Sequence, residues 1–386
     1  MGDEIQDLTI IGGGVMGLFT AYYASSFVPR VTILEKSFVG DKRTASFSYT
    51  RSIRNDYLDT HYARLAYEAR KLWLEFQQHA AEPCIIECGC LNIAKANVTP
   101  VLNETYAVQS FRTLTDLHLK TREFTSETLQ EQFPQFSADL GRLDVEAGLL
   151  YVPAVTQTLV AALRERGVRI VEHVAIRQIE RQADGLHIRT GAGEYTSKKL
   201  VITAGLATND VMKLIPGNTV QFPLSPDRPS QCKYFIPPES KRPQFTSDVF
   251  PVFAYLDVGI YGHPIYEGRT PGVKIGFYHP PDVKTANTHI SDVHSFVTEC
   301  LPGLLDAEAS DVQDVDQCFY DLVGDDDFIL GNLPGFDDIF VGVGWRGTGY
   351  KYAPWVGQTL MQLACQAGTV YDIMRFTPAR FAPAHA

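Results

Sequence analysis

The stretch DLTIIGGGVMGLFTAYYASS near the start of the chain has little freedom in what it can become. Leu8 to Ile11 is a short apolar run of strand type. Gly12, Gly14 and Gly17 follow in G-x-G-x-x-G spacing, and then comes an apolar helix pattern. RVTILEK reads as a second buried strand ending at Glu35, 18 positions after the last glycine. Strand, tight turn, helix and strand make the βαβ unit that holds a dinucleotide. Gly12 permits the turn, Gly14 lets a pyrophosphate approach the backbone, and Gly17 lets helix and strand pack closely, with the helix N-terminus facing the phosphates. Glu35 would accept hydrogen bonds from a ribose. The glycine spacing alone is weak evidence; between two strands and followed by the acid it is strong. An acid at position 35 disfavours a 2′-phosphate and so NADP, while NAD and FAD both stay open.

A chain of 386 residues is comfortable for two domains. Apolar residues make up 45%, with 22 Phe and 18 Tyr, enough for a large core and too many for disorder. The net charge of -11 argues against nucleic acid and against an anionic membrane surface as partners. No signal-peptide pattern, no spanning apolar run and no peroxisomal address at the final PAHA are found. Seven cysteines, an odd number, are spread over the length. The expectation is a soluble protein of the reducing cytoplasm, without disulfides. PCIIECGC brings Cys84, Cys88 and Cys90 together with no histidine near, which reads as a strand rather than a metal site.

Residues 60–80 carry Leu65, Ala69, Leu72 and Phe76 at helical spacing. From residue 152 the pattern runs helix, strand, strand pair, and the buried strand KLVITAG, where Gly205 suits another backbone pass near a nucleotide. Residues 215–320 are richer in Pro and aromatics with strand-like alternation. DIFVGVGWRGTGYKYAPWVGQTLMQLACQAG then returns to strand, glycine turns and helix. The fold class is α/β plus α+β. A Rossmann-like nucleotide domain from 1–80, 147–214 and 324–386 is interleaved with a mixed-sheet substrate domain from 81–146 and 215–323. In TRSIRNDY, Arg51 and Arg54 sit three apart, which on a helical turn places both on one face.

The order of TIIGGGVMGL, KLVITAG and GVGWRGTGYKYAP resembles the FAD-dependent amino acid oxidases of the glycine oxidase and sarcosine oxidase group, the monomeric sarcosine oxidase type most of all. The likeness runs over nearly the whole chain and is looser in the middle. It implies FAD on Gly12, Gly14, Gly17, Glu35, Val174, Gly205, Gly347, Gly349 and Lys351. CFYDLVGDDDF looks like the segment where such enzymes attach flavin, so Cys318 is the implied thioether anchor; the residues alone also allow a buried structural cysteine. Arg51 is implied beside the flavin ring, and Arg54 and Lys351 at the substrate carboxylate, which a guanidinium fork suits. Lys274, in PGVKIGFY, is the implied oxygen-activating cation, because electron transfer to O2 develops negative charge that a fixed cation stabilises.

This sequence departs from the family pattern in places. Phe47 and Ser48 stand where the family usually has histidine and glycine. Tyr278 or His279 must take the place of a family histidine. Arg346 lies outside the usual pattern and is either a second cationic contact for substrate or a surface residue; Tyr261 and Tyr320 are pocket-wall candidates or core aromatics.

The activity implied is oxidation of a C–N bond in a small secondary (N-methyl or cyclic) amino acid, with hydride passing to flavin N5. The imine hydrolyses, and O2 is reduced to H2O2 by a monomeric enzyme. Three other readings are kept: a flavin dehydrogenase with another acceptor, an NAD-dependent dehydrogenase, and a non-catalytic flavin-binding protein.

Overall fold

The computed structural model describes residues 4–100, 102–226, 231–277, 290–310, 319–366 and 368–382. The chain forms two compact units. One comprises Met1–Phe47, Pro153–Pro229 and Cys318–Ala386; the other comprises Ser48–Val152 and Ser230–Gln317.

The first unit is built on a six-stranded sheet. Its order is Ile329–Asn332, Ile339–Val343, Leu200–Ile202, Leu8–Ile11, Val31–Leu34 and Arg169–Val171. All neighbours run parallel except the Ile329–Asn332 edge. Leu8–Ile11 and Val31–Leu34 are buried at every position, as an interior parallel strand must be when both faces are covered. The helix Val15–Ala24 is buried along almost its whole length. The helix Ala353–Gln366 lies close against it: a Cβ on Gly357 would stand 2.6 Å from the backbone carbon of Phe19. A three-stranded antiparallel sheet, Ile176–Gln182, Gly185–Thr190 and Glu194–Ser197, completes this unit.

The second unit is built on an eight-stranded mixed sheet. The order is Glu308–Ser310, Gln231–Ile236, Val273–Phe277, Ile260–His263, Val252–Tyr255, Cys90–Ala94, Leu140–Asp144 and Thr121–Thr125. One face is a continuous apolar core that includes Leu91, Phe235, Phe253, Ile260, Val273 and Ile275. The helix Thr60–Gln77 belongs to this unit. Asp59 caps it by accepting the His61 N–H at 2.8 Å, and Leu65, Ala69, Leu72 and Phe76 form its buried stripe.

These limits differ from the division read off the sequence. Thr50–Ile53 pairs with Gly148–Tyr151, which also pairs with Ile85–Ile86. That small sheet ties residues 48–80 and 147–152 to the second unit. Ser225 and Leu322, bridged to one another, both belong to the first. Among the described residues no helix is long and apolar enough to cross a membrane.

Candidate active site

In the first unit, the glycine turn is tight enough to be a cradle. Gly12 has φ +107°, and a Cβ there would stand 2.5 Å from the Thr203 carbonyl oxygen. A Cβ on Gly17 would lie 2.0 Å from the Gly12 carbonyl oxygen. Helix and strand touch through these two residues, which brings the helix start directly onto the turn. Gly14 is the N-cap, and the Ser46 hydroxyl accepts the Val15 N–H at 3.0 Å. Glu35 accepts the Gly13 N–H at 2.6 Å and the Ser37 N–H at 2.8 Å. A carboxylate has about four acceptor sites, so two backbone contacts leave capacity for ribose hydroxyls. The Val174 N–H donates to the Glu35 carbonyl at 2.9 Å. Gly205 opens a short 3-10 turn after Leu200–Ile202, with φ +55° and open space beside it. These residues suit a dinucleotide.

Gly17→Ala is expected to force the turn open. Overpacking of this kind costs about 1–3 kcal/mol, and here the strain falls on the backbone that would face the pyrophosphate. Visible flavin absorbance per mole of purified protein should fall sharply, with a lower unfolding midpoint. Full flavin content in the variant would show that the cradle lies elsewhere.

The late glycine-rich segment is also in the first unit. Gly344 and Gly347 have φ +82° and +75°, and Arg346 between them has φ +46°. Tyr320 lies over Gly347, its ring 2.8 Å from where a Cβ would be, and Trp345 fills the same space over Gly349. Arg346 is buried, not on the surface, and donates to the Asp326 carbonyl. Lys351 is buried too, its Nζ donating to the Thr348 carbonyl at 3.0 Å. Asp321 was not singled out from the sequence. It accepts the Gly344 N–H at 3.0 Å, and burial pushes its carboxyl up to about 6. Cys318, Tyr278 and His279 lie outside the described residues.

In the second unit, three neighbouring strands put a polar set on one face of the sheet. Tyr234, Lys274 and His263 are register partners across Gln231–Ile236, Val273–Phe277 and Ile260–His263. Cys232, Gly276 and Tyr261 are partners two residues further along. Residues two apart share a face, so all six point away from the apolar core. Glycine at 276 is required by Tyr261, whose ring lies 2.5 Å from the position of a Cβ there. The Tyr261 hydroxyl is 3.1 Å from Cys232 Sγ. Lys274 is 1% exposed, and its Nζ donates to the Ser48 hydroxyl at 2.9 Å.

Arg51 and Arg54 are not on a helical turn. Arg51 is half-buried on the strand Thr50–Ile53, opposite Leu150, and Arg54 follows the strand's end. Strand pairing with Gly148–Tyr151 overrides the local spacing, and in a strand, positions three apart do not share a face. Arg54 is buried in a network the sequence reading missed. Its Nη1 donates to Asp56 Oδ1 at 2.7 Å and to the Asp56 carbonyl at 2.9 Å, and its guanidinium stacks 4.8 Å from the Tyr57 ring centre. Asn92 donates to the other Asp56 oxygen. Asp144 accepts the Asn55 N–H at 2.7 Å. Burial is the largest single influence on Arg54 and opposes its charge, but the Asp56 carboxylate, together with Tyr106, Tyr57 and Cys90 beside it, raises the guanidinium well above its ordinary value. Burial, then the Asp56 charge, pushes the Asp144 carboxyl up to about 7. The acid two residues after Arg54 was the available signal. Cys84, Cys88 and Cys90 are thiols, and among the described residues no cluster could hold a metal.

The DAO model, described as FAD dependent oxidoreductase, matches residues 7–363. Human peroxisomal sarcosine oxidase is 30% identical over 400 residues, covering 98% of this chain and 97% of that one. N-methyl-L-tryptophan oxidase of Yersinia pestis (strain Pestoides F) is 26% identical over 396 residues, covering 97% and 99%. Among solved structures, L-proline dehydrogenase from P. horikoshii superposes with a TM-score of 0.79 at 18% identity, covering 98% of each chain. NikD, an amino acid oxidase of nikkomycin biosynthesis, superposes at 0.75 with 22% identity, covering 97% and 98%. With the nucleotide cradle and a family match over nearly its full length, the chain belongs to the DAO family of FAD-dependent oxidoreductases.

Proposed function

We propose that this enzyme oxidises the C–N bond of a small secondary amino acid, N-methyl or cyclic, and passes the electrons to O2. The observation that carries the reading is Lys274, a lysine held inside the second unit on a polar sheet face. Relatives named for sarcosine and N-methyl-L-tryptophan support the substrate class. FAD, when bound, takes two electrons from the amine and gives them up again.

The chain's own residues have separate tasks. Gly12, Gly14 and Gly17 receive the pyrophosphate, and Glu35 the ribose; Val174, Gly205, Gly347 and Gly349 supply further backbone to the cofactor. Arg51 is assigned to the flavin side. Arg54 and Lys351 are assigned to the substrate carboxylate. Two of the five guanidinium donors of Arg54 go to Asp56, so the carboxylate falls to the others. Arg346 is committed to a backbone carbonyl, which favours a role in shaping its loop over direct charge on the substrate. Tyr261 bounds the face that carries Lys274. The Lys274 ammonium stabilises negative charge as it develops on oxygen. Cys318 is assigned as the covalent anchor. Free thiols at the described cysteines are in keeping with a reducing compartment such as the cytoplasm.

The test is made in two steps on one sample. N-methyl amino acids added without oxygen should bleach the yellow protein, and air should restore the colour with one H2O2 per turnover. Bleaching without recovery in air would move the enzyme to the dehydrogenases; no bleaching by any secondary amino acid would sink the substrate class. Acid precipitation should then leave the yellow with the pellet, and with the supernatant in Cys318→Ala. Colour released from the unmutated protein would remove the covalent link.

A further inference from the structure

The surroundings of Lys274 hold more than the assigned cation. Ser48, where the family usually has glycine, accepts from Lys274 Nζ at 2.9 Å, and its own hydroxyl donates to the Thr50 carbonyl at 3.0 Å. That same carbonyl lies 3.5 Å from Lys274 Nζ. The Thr50 hydroxyl is in turn 2.8 Å from Nδ1 of His263. His263 is 1% exposed and sits directly across the ladder from Lys274, where Cβ atoms are about 4.5–5.5 Å apart. Every link is within the second unit.

The geometry explains why such a brace is needed. A lysine has four rotatable carbons and loses up to about 2 kcal/mol of rotamer freedom when one position is held. Its ladder neighbours are Tyr234 and His263, and neither side chain is a carboxylate. Two oxygens that hold the ammonium, the Ser48 hydroxyl and the Thr50 carbonyl, come from the segment before and at the start of Thr50–Ile53. That segment is pinned at its side chain by the imidazole of His263.

We propose that Ser48, Thr50 and His263 are positioning residues that aim the Lys274 ammonium, so that the rate of reoxidation by O2 depends on hydrogen bonds that run through Thr50 back to His263. The proposal rests on the oxygen-activating role given to Lys274 above. Among the groups facing His263 are Lys274 across the ladder, Tyr261 on its own strand with ring centres 5.6 Å apart, and Thr50.

The experiment is stopped-flow reoxidation of the substrate-reduced holoenzyme by air, with anaerobic reduction measured separately. His263→Leu and Thr50→Val each cut the chain without touching Lys274, and each should slow reoxidation about tenfold more than it slows reduction. His263→Asn, which can still meet the Thr50 hydroxyl, should recover most of the rate. In a Lys274→Met background the same changes should have no further effect on reoxidation. A merely structural role would instead add its loss to that of Lys274→Met. If His263→Leu does not fold, Thr50→Val decides alone. Reoxidation at the unmutated rate in the folded variants, or losses that simply add, would overturn the proposal. If Lys274→Met itself reoxidises normally, the oxygen role of Lys274 has failed instead, and the brace with it.

Discussion

Lys274→Met is expected to slow reoxidation of the reduced enzyme by about 10²–10³-fold, the range seen when one preorganised donor is taken from a developing oxyanion. Methionine keeps most of the side-chain volume and the apolar stem, so packing changes little. What goes is the charge, and that charge lies where water does not reach, at 1% exposure. In such surroundings a fixed cation acts with little screening. Lys274→Arg keeps the charge but replaces a compact ammonium with a planar fork, which cannot occupy the same position between Ser48 and Thr50; it should recover only part of the rate. Global stability should hold or rise, because removing a buried charge also removes its desolvation cost. A normal reoxidation rate in Lys274→Met would put the oxygen site elsewhere.

The parts of this enzyme legible in the sequence are those whose physics is local. Gly12, Gly14, Gly17 and Glu35 announce themselves because turn, helix start and second strand follow one another along the chain. The helix Thr60–Gln77 shows its stripe for the same reason. The brace around Lys274 could not be read, since Ser48 and Thr50 come from one end of the second unit and His263 and Lys274 from strands more than 200 residues later. No spacing rule links them; only the packing of the small sheet that holds Thr50–Ile53 against strands of the larger one does. Arg51 and Arg54 were misread because local spacing suggested a helical turn, while the partner strand Gly148–Tyr151 that decides the matter lies far downstream. Strand formation is set by such partners more than by intrinsic preference. The unit limits moved for that same reason. Asp56 is the exception, a local feature overlooked: an acid two residues from an arginine, close enough along the chain for the two to pair.

Asp56→Ala should be the most destabilising single change in the second unit, at about 3–5 kcal/mol, the cost of stranding one member of a buried ion pair. Arg54 would be left inside the fold at 7% exposure without its carboxylate, and Asn92 would lose its acceptor. Arg54→Met combined with Asp56→Leu strands neither charge and should regain most of that loss. Urea midpoints of the three proteins make the comparison. The loss should also depend on pH, through Asp144. Its carboxyl is pushed up to about 7 by burial and by Asp56, so the folded protein holds a proton that the unfolded chain releases near its ordinary value of about 3.9. The stability this proton contributes is complete below that lower value and is lost as pH rises through about 7. Without Asp56 the negative neighbour is gone and the upper edge of this window moves down, so the variant gives up less of its stability as pH rises. The gap between unmutated protein and Asp56→Ala should therefore be wider at pH 5 than at pH 8. A gap of equal size at both would mean that burial alone raises Asp144, and that the Asp56 charge is spent entirely on Arg54.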